Sequence, residues 1–200
     1  VDQTLPGHKP AHTDRVDDTV AMFRRPAQRI LSAFRDRKHA DGFQDRDKAA
    51  NWRELNASGY ARHPGIAGCT TRMLLGAKCA HVHQKSEETA RATNEAARGG
   101  GLPVAKATAV VRRLAFVGLQ ERWADSICLF HAMLGGAPRK IEFVVAHSRR
   151  RRGRDAPLVP APYDEGRLDG FVDAADEAVY AEAARVFEAN LRRFAPDCVS

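Results

Sequence analysis

Apolar residues along this chain gather in short clusters separated by charged or glycine- and proline-rich stretches, and their spacing predicts short strands alternating with helices. Val1 to Arg15 is polar, with two prolines and no apolar periodicity, and reads as a loop. Thr19 to Phe23 is a compact apolar run, the pattern of a buried strand that ends at Arg24. Pro26 is well placed to open a helix, because its missing N–H falls where no intrahelical bond is made, and Ile30, Leu31 and Phe34 then recur at helical spacing. Residues 45 to 58 are charged, with Trp52 and Leu55 interspersed, and predict a short surface helix. His63 to Gly68 reads as a loop, and the apolar stretch Thr70 to Cys79 is compatible with a helix. Ser86 is a candidate N-cap, with Glu87 and Glu88 suited to the positive end of a helix dipole, although Thr89 leaves the capping box incomplete. That helix runs to Arg98 and is stopped by Gly99 to Gly101 and Pro103. A helix through Arg113, a strand over Ala115 to Gly118 and a helix from Gln120 to Leu134, ended by Gly135 and Gly136, follow. Asp173 to Phe194 is amphipathic, with Val179, Ala183, Val186, Phe187 and Leu191 on one stripe. The alternation predicts an α/β architecture, a mainly parallel sheet flanked by helices, with no internal repeat.

Two hundred residues suit one domain, 1–200, with 1–15 as a flexible leader and 149–162 as an exposed loop, basic from Arg149 to Arg154 and proline-rich to Pro162. Hydrophobic content of 44% and charged content of 28% place the chain with globular proteins rather than disordered ones. The formal charge of +7 suits an anionic ligand (a nucleotide, a sulfated sugar or a nucleic acid) without choosing among them. No apolar run approaches the roughly 20 residues of a membrane span, and no signal-peptide core is present. The first residue is Val1, and a piece of a longer chain is expected. Four cysteines are too few for a disulfide scaffold. Cys128, inside an apolar stretch, reads as a core residue, and Cys69 and Cys79 could pair in an oxidising compartment.

The candidate chemistry lies in Phe23 to Phe34. An arginine at the end of a strand stands at the lip of the sheet, where open α/β sheets bind ligands, and the helix after it offers N–H groups and partial positive charge to an anion. Ser32 follows Arg24 by eight residues, about two turns into the helix, so a guanidinium and a hydroxyl can converge on one phosphate. Arg29 lies one turn before Ser32 on a similar face. An ordinary strand-to-helix junction with a salt-bridged arginine has the same pattern. Elsewhere, Cys69, Cys79, His81 and His83 are of zinc-binding type, but their spacing fits no common zinc module, and a polar loop is the simpler account. The Arg149 to Arg154 run suits an acidic polysaccharide or a nucleic acid, and a solvated loop is its default reading. It lacks the interleaved aromatics of a nucleic-acid surface.

The order strand–Arg–x–Pro–x–x–Arg–x–x–Ser–x–aromatic resembles the 3′-phosphate motif of sulfotransferases that use 3′-phosphoadenosine 5′-phosphosulfate, most of all the Golgi carbohydrate enzymes related to heparan sulfate 2-O-sulfotransferase. Those commonly read Arg-Asp-Pro, where this chain has Arg24-Arg25-Pro26. Phe116-Val-Gly-Leu-Gln-Glu-Arg-Trp-Ala-Asp-Ser-Ile-Cys-Leu-Phe130 is similar to the family's late strand and helix. Thr71-Arg-Met-Leu-Leu-Gly76 resembles a segment between the two, and Tyr180 to Phe194 resembles the closing helix. Three ordered matches are more specific than any one. The resemblance implies a P-loop NTPase-like sulfotransferase fold that begins after its first strand. The family's phosphate loop is missing, since neither Gly99 to Lys106 nor Gly76 to Lys78 has its spacing.

The resemblance further implies Arg24, Arg29 and Ser32 as donor-binding residues, with no metal, and Arg72 near donor or acceptor or in a structural salt bridge. The implied reaction is transfer of a sulfuryl group to a hydroxyl of a glycan acceptor, by the full-length protein. Gly7-His8-Lys9 is similar to a Gly-His pair in some members, so His8 is the candidate base and His12 its alternate. A Golgi-lumenal location with an anchor upstream is implied, with no nucleic-acid partner and no membrane contact by this segment. A catalytically inactive sulfotransferase-like binding protein is the alternative, and a zinc or nucleic-acid module a more distant one.

Overall fold

The computed structural model of this chain describes residues 15–36, 56–62, 66–76, 101–143 and 162–198. Among the described residues the sheet has two parallel strands, β1 (Val20–Phe23) and β2 (Phe116–Leu119), with Val20 opposite Phe116 and Phe23 opposite Leu119. All four residues of β2 are buried, whereas Val20 and Met22 on β1 are 51% and 43% exposed, so one face of β1 is wet. Parallel pairing requires a long crossover. Along it the described helices are α1 (Pro26–Asp36), α2 (Ala57–Ala61), α3 (Cys69–Leu74) and α4 (Val104–Arg113). After β2 a 3-10 turn over Gln120–Arg122 leads into α5 (Trp123–Leu134). Further 3-10 turns span Lys140–Phe143, Glu165–Leu168 and Pro196–Cys198, the last after the long helix α6 (Ala174–Phe194). The architecture is therefore mixed α/β with parallel pairing. Among the described residues no helix is long and apolar enough to cross a membrane.

The core forms where α6 lies against α4, α5 and β2. Its expected stripe is in place: Val179, Ala183, Phe187 and Leu191 are buried with Val111, Val117 and Leu129, and Val186 packs at the flank. Each fully buried large side chain contributes roughly 1.5–3 kcal/mol. The helix is also charged in the sense its dipole favours, with Asp176 and Glu177 in the first turn and Arg192 and Arg193 in the last. A second cluster joins Ile30 and Leu31 of α1 to Tyr60 of α2, Ile66 and Leu168. The end of β2 is closed by Ser126 of α5, whose buried hydroxyl accepts from the Leu119 N–H and donates to the Leu119 carbonyl, both at 2.9 Å. Gly118 lets the strands and their side chains approach: a Cβ there would lie 2.3 Å from Met22 Sδ and 2.9 Å from the Phe116 ring.

Across the α4–α6 interface, Glu182 accepts from Arg112 at 2.7 Å and from Arg185 at 2.6 Å. These two arginines pull its carboxyl down to about 2. A carboxyl whose folded pKa is depressed stabilises the fold above its unfolded value and loses that contribution as pH falls through the folded one. Glu182→Gln is therefore expected to melt below the parent at neutral pH, with the gap closing between about pH 4.5 and about 2. Equal melting temperatures at pH 7 would remove the pair from the stability of this interface.

Several sequence expectations shift. The surface helix expected over 45 to 58 lies mostly outside the described residues; the helix found there is α2, which buries Ala57, Ser58, Tyr60 and Ala61 rather than lying on the surface. The stretch from Thr70 is helical only as far as Leu74. The expected strand at Ala115 starts one residue later. The first turn expected of the Gln120 helix is 3-10. Cys128 is not an isolated core thiol: it is bonded to Cys198, tying α5 to the turn after α6 across 70 residues. Cys69 is also disulfide-bonded, which leaves it no thiolate for zinc, while Cys79, His81 and His83 lie outside the described residues. All of the leader 1–15 except Arg15, the helix expected after Ser86 and the run Arg149 to Arg154 lie outside them as well.

Candidate functional site

Because β1 and β2 are parallel, their carboxyl ends open on the same edge, and the residues that follow them meet there. Phe23 is buried, Arg24 is half-buried as the chain leaves β1, and Arg25 is exposed. The Arg25 carbonyl accepts the first helical bond of α1, from the Arg29 N–H at 2.9 Å. Pro26 has no N–H, so Ala27 and Gln28 carry the amides that helix geometry leaves open at this end. Glu121, just past β2, fixes the turn: its Oε1 accepts from the Arg25 N–H at 2.8 Å and its Oε2 from the Tyr180 hydroxyl at 3.2 Å. Burial, reinforced by the Glu121 charge, pushes the Tyr180 phenol up to about 12, so it acts here as a donor.

The three described candidates divide. Arg24 has no carboxylate partner among the described residues, and its guanidinium lies 5.5 Å from the Tyr163 ring centroid. Ser32, half-buried on α1, has a hydroxyl that bonds to no described residue. Arg29 turns inward instead. Its Nη2 donates to the Ile66 carbonyl at 3.0 Å and to Asp173 and Asp176 at 3.2 Å each. His8 and His12 lie outside the described residues.

Arg29 thus belongs to a buried charge cluster beneath the edge. Asp173 caps α6, and its carboxylate also accepts from the Gly68 N–H at 2.9–3.0 Å. Asp176 accepts from the Thr70 and Thr71 N–H groups at 2.8 Å and from the Thr71 hydroxyl at 2.7 Å. The start of α6 therefore supplies the anions for the start of α3, complementing that helix's dipole. Gly68 enters α3 with φ of 66°, and a Cβ there would come within 2.0 Å of Leu102 Cδ1. Burial, and then the charge of Asp176, push the Asp173 carboxyl above its ordinary value, against the Gly68 amide and Arg29. Arg72, 6% exposed, donates to the Ala67 carbonyl at 2.6 Å. Burial lowers its pKa, and the two aspartates resist that. Two guanidiniums thus balance two carboxylates, which is how buried charge is tolerated. Of the two expectations for Arg72, near donor or acceptor or in a structural salt bridge, this bonding fits the structural one.

The sequence did not single out Asp173, Asp176, Gln28, Glu121 or Tyr163. The two aspartates carry a signal, since Asp173 and Asp176 open an amphipathic helix and read as cap and dipole partner. Nothing local announces that their acceptors reach 105 residues back to Gly68 and Thr71. Among the described residues no group of three or more His, Cys, Asp or Glu is arranged to hold a metal ion. No family model, curated protein or solved structure matches this chain.

Proposed function

We propose that this chain holds the 3′-phosphate end of 3′-phosphoadenosine 5′-phosphosulfate, as part of a P-loop NTPase-like sulfotransferase fold that modifies a hydroxyl of a carbohydrate acceptor. The observation that carries the reading is Arg24. It stands at the carboxyl end of a parallel strand, ahead of a helix opened by Pro26, with no described carboxylate to neutralise it. Ser32 adds, on the same helix, a hydroxyl that no described residue engages, and Arg29 acts indirectly, by anchoring α1 to α6. In the reaction an oxygen of the acceptor hydroxyl bonds to sulfur while the bond from sulfur to the bridging oxygen breaks. The hydroxyl proton passes to a base, for which His8 is the candidate, and adenosine 3′,5′-bisphosphate leaves. The disulfide-bonded state of Cys69, Cys128 and Cys198 supports an oxidising compartment, in keeping with the Golgi lumen.

Isothermal titration with adenosine 3′,5′-bisphosphate tests the reading. Binding is expected, weakened roughly tenfold or more by Arg24→Ala, as for loss of a charge-assisted bond, and by a smaller factor by Ser32→Ala. Absence of binding, or binding indifferent to both changes, would sink it.

A further inference from the structure

Arg24 and Arg35 lie at opposite ends of the turn–helix segment yet converge on one side chain. Their Cζ atoms are 5.5 and 5.7 Å from the centroid of the Tyr163 ring, inside the distance of about 6 Å at which an aromatic face attracts a cation. Neither guanidinium has a carboxylate or hydrogen-bond partner among the described residues. The ring gathers two like charges without cancelling either.

Tyr163 is brought there by a built contact. Gln28, only 4% exposed, pairs with its backbone in both directions. The Gln28 Oε1 accepts from the Tyr163 N–H at 2.8 Å, and its Nε2 donates to the Tyr163 carbonyl at 3.0 Å and to Glu165 Oε1 at 2.7 Å. Gln28, Ser32 and Arg35 recur at i, i+4 and i+7 on one face of α1. Ser32 therefore falls, on that face of the helix, between the residue that holds Tyr163 and one of the arginines on its ring. Glu165, two residues after Tyr163, is engaged by the Gln28 amide.

We infer that Arg24, Arg35 and Ser32, assembled on Tyr163, form a clamp for a phosphomonoester dianion. Such a group carries nearly two negative charges at neutral pH and three strong acceptor oxygens, matching two unneutralised guanidiniums and a hydroxyl. A sulfate ester or phosphodiester brings one charge. Arg35 and Tyr163 are thereby binding residues, with Gln28 positioning them. The identity of the phosphomonoester as the 3′-phosphate of a nucleotide rests on the donor reading above; the clamp itself does not.

The test titrates adenosine 3′,5′-bisphosphate and, separately, inorganic phosphate into the whole chain and its Arg35→Gln and Tyr163→Leu variants. Arg35 is exposed and makes no ion pair or hydrogen bond among the described residues, so Arg35→Gln should keep the parent melting temperature while weakening bisphosphate binding roughly tenfold. Tyr163→Leu should weaken it by a smaller factor. Bisphosphate binding that depends on Arg24 but ignores Arg35→Gln overturns the clamp and leaves the donor reading standing. Phosphate binding that Arg35→Gln weakens, without bisphosphate binding, does the reverse. Failure of both ligands to bind overturns both.

Discussion

Asp176→Ala is expected to cost about 3–5 kcal/mol of stability, the range for removing one partner of a buried ion pair. At about 2–4 °C per kcal/mol for a chain of this size, melting should fall by about 6–20 °C, read by circular dichroism. The size follows from what the carboxylate does. It is the acceptor for two α3 amides, the Thr71 hydroxyl and Arg29, and it is fully buried. Its removal leaves the Thr70 and Thr71 amides without that acceptor and two guanidiniums facing Asp173 alone. The control is Asp17, which pairs with Arg113 at 2.9 Å but is 70% exposed. Water screens that pair, so Asp17→Ala should leave the melting temperature nearly unchanged. Equal effects at the two positions would mean the cluster is solvated and carries no special weight.

Loss of the Cys128–Cys198 bond is the second large effect. The bond closes 70 residues of chain, and the loop-entropy account assigns such a closure about 4 kcal/mol. The double variant Cys128→Ser, Cys198→Ser should melt well below the parent under oxidising conditions. Because a general reductant also reaches the bond at Cys69, the double variant isolates the effect. A parent that melts no higher than the variant, or a non-reducing peptide map without the 128–198 crosslink, would contradict the pairing.

Where periodicity was strong, the chain was legible. The strand ending at Phe23, the helix opened by Pro26 and the stripe of α6 were all readable, because each is fixed by its own neighbours. The burial of α2 is not legible in the sequence, because it depends on Phe34 and Leu168, remote in sequence, and not on an apolar period of its own. Cys128 was misread for the same reason: an apolar neighbourhood says nothing of a cysteine 70 residues away. At the site, Arg24 and Ser32 could be picked by their place on a strand end and a helix face. Spacing alone could not distinguish Arg24 from Arg29. What separates them is where carboxylates arrive from, and Asp173 and Asp176 reach Arg29 from 144 and 147 residues downstream. Tyr163 was invisible in the same way, since its role begins with a buried glutamine 135 residues before it.

The parallel register has a consequence for how the chain is made. The bond from Arg25 to Glu121 closes a span of 96 residues, and no local hairpin can stand in for it. During synthesis at roughly 5–20 residues per second, β1 therefore emerges about 5–20 s before the strand that completes it. Throughout that interval the backbone groups that pair with β2 are without that partner. The slow, late step in folding should be the docking of β2 onto a strand already waiting, and α6, which closes the core over both, can only follow it.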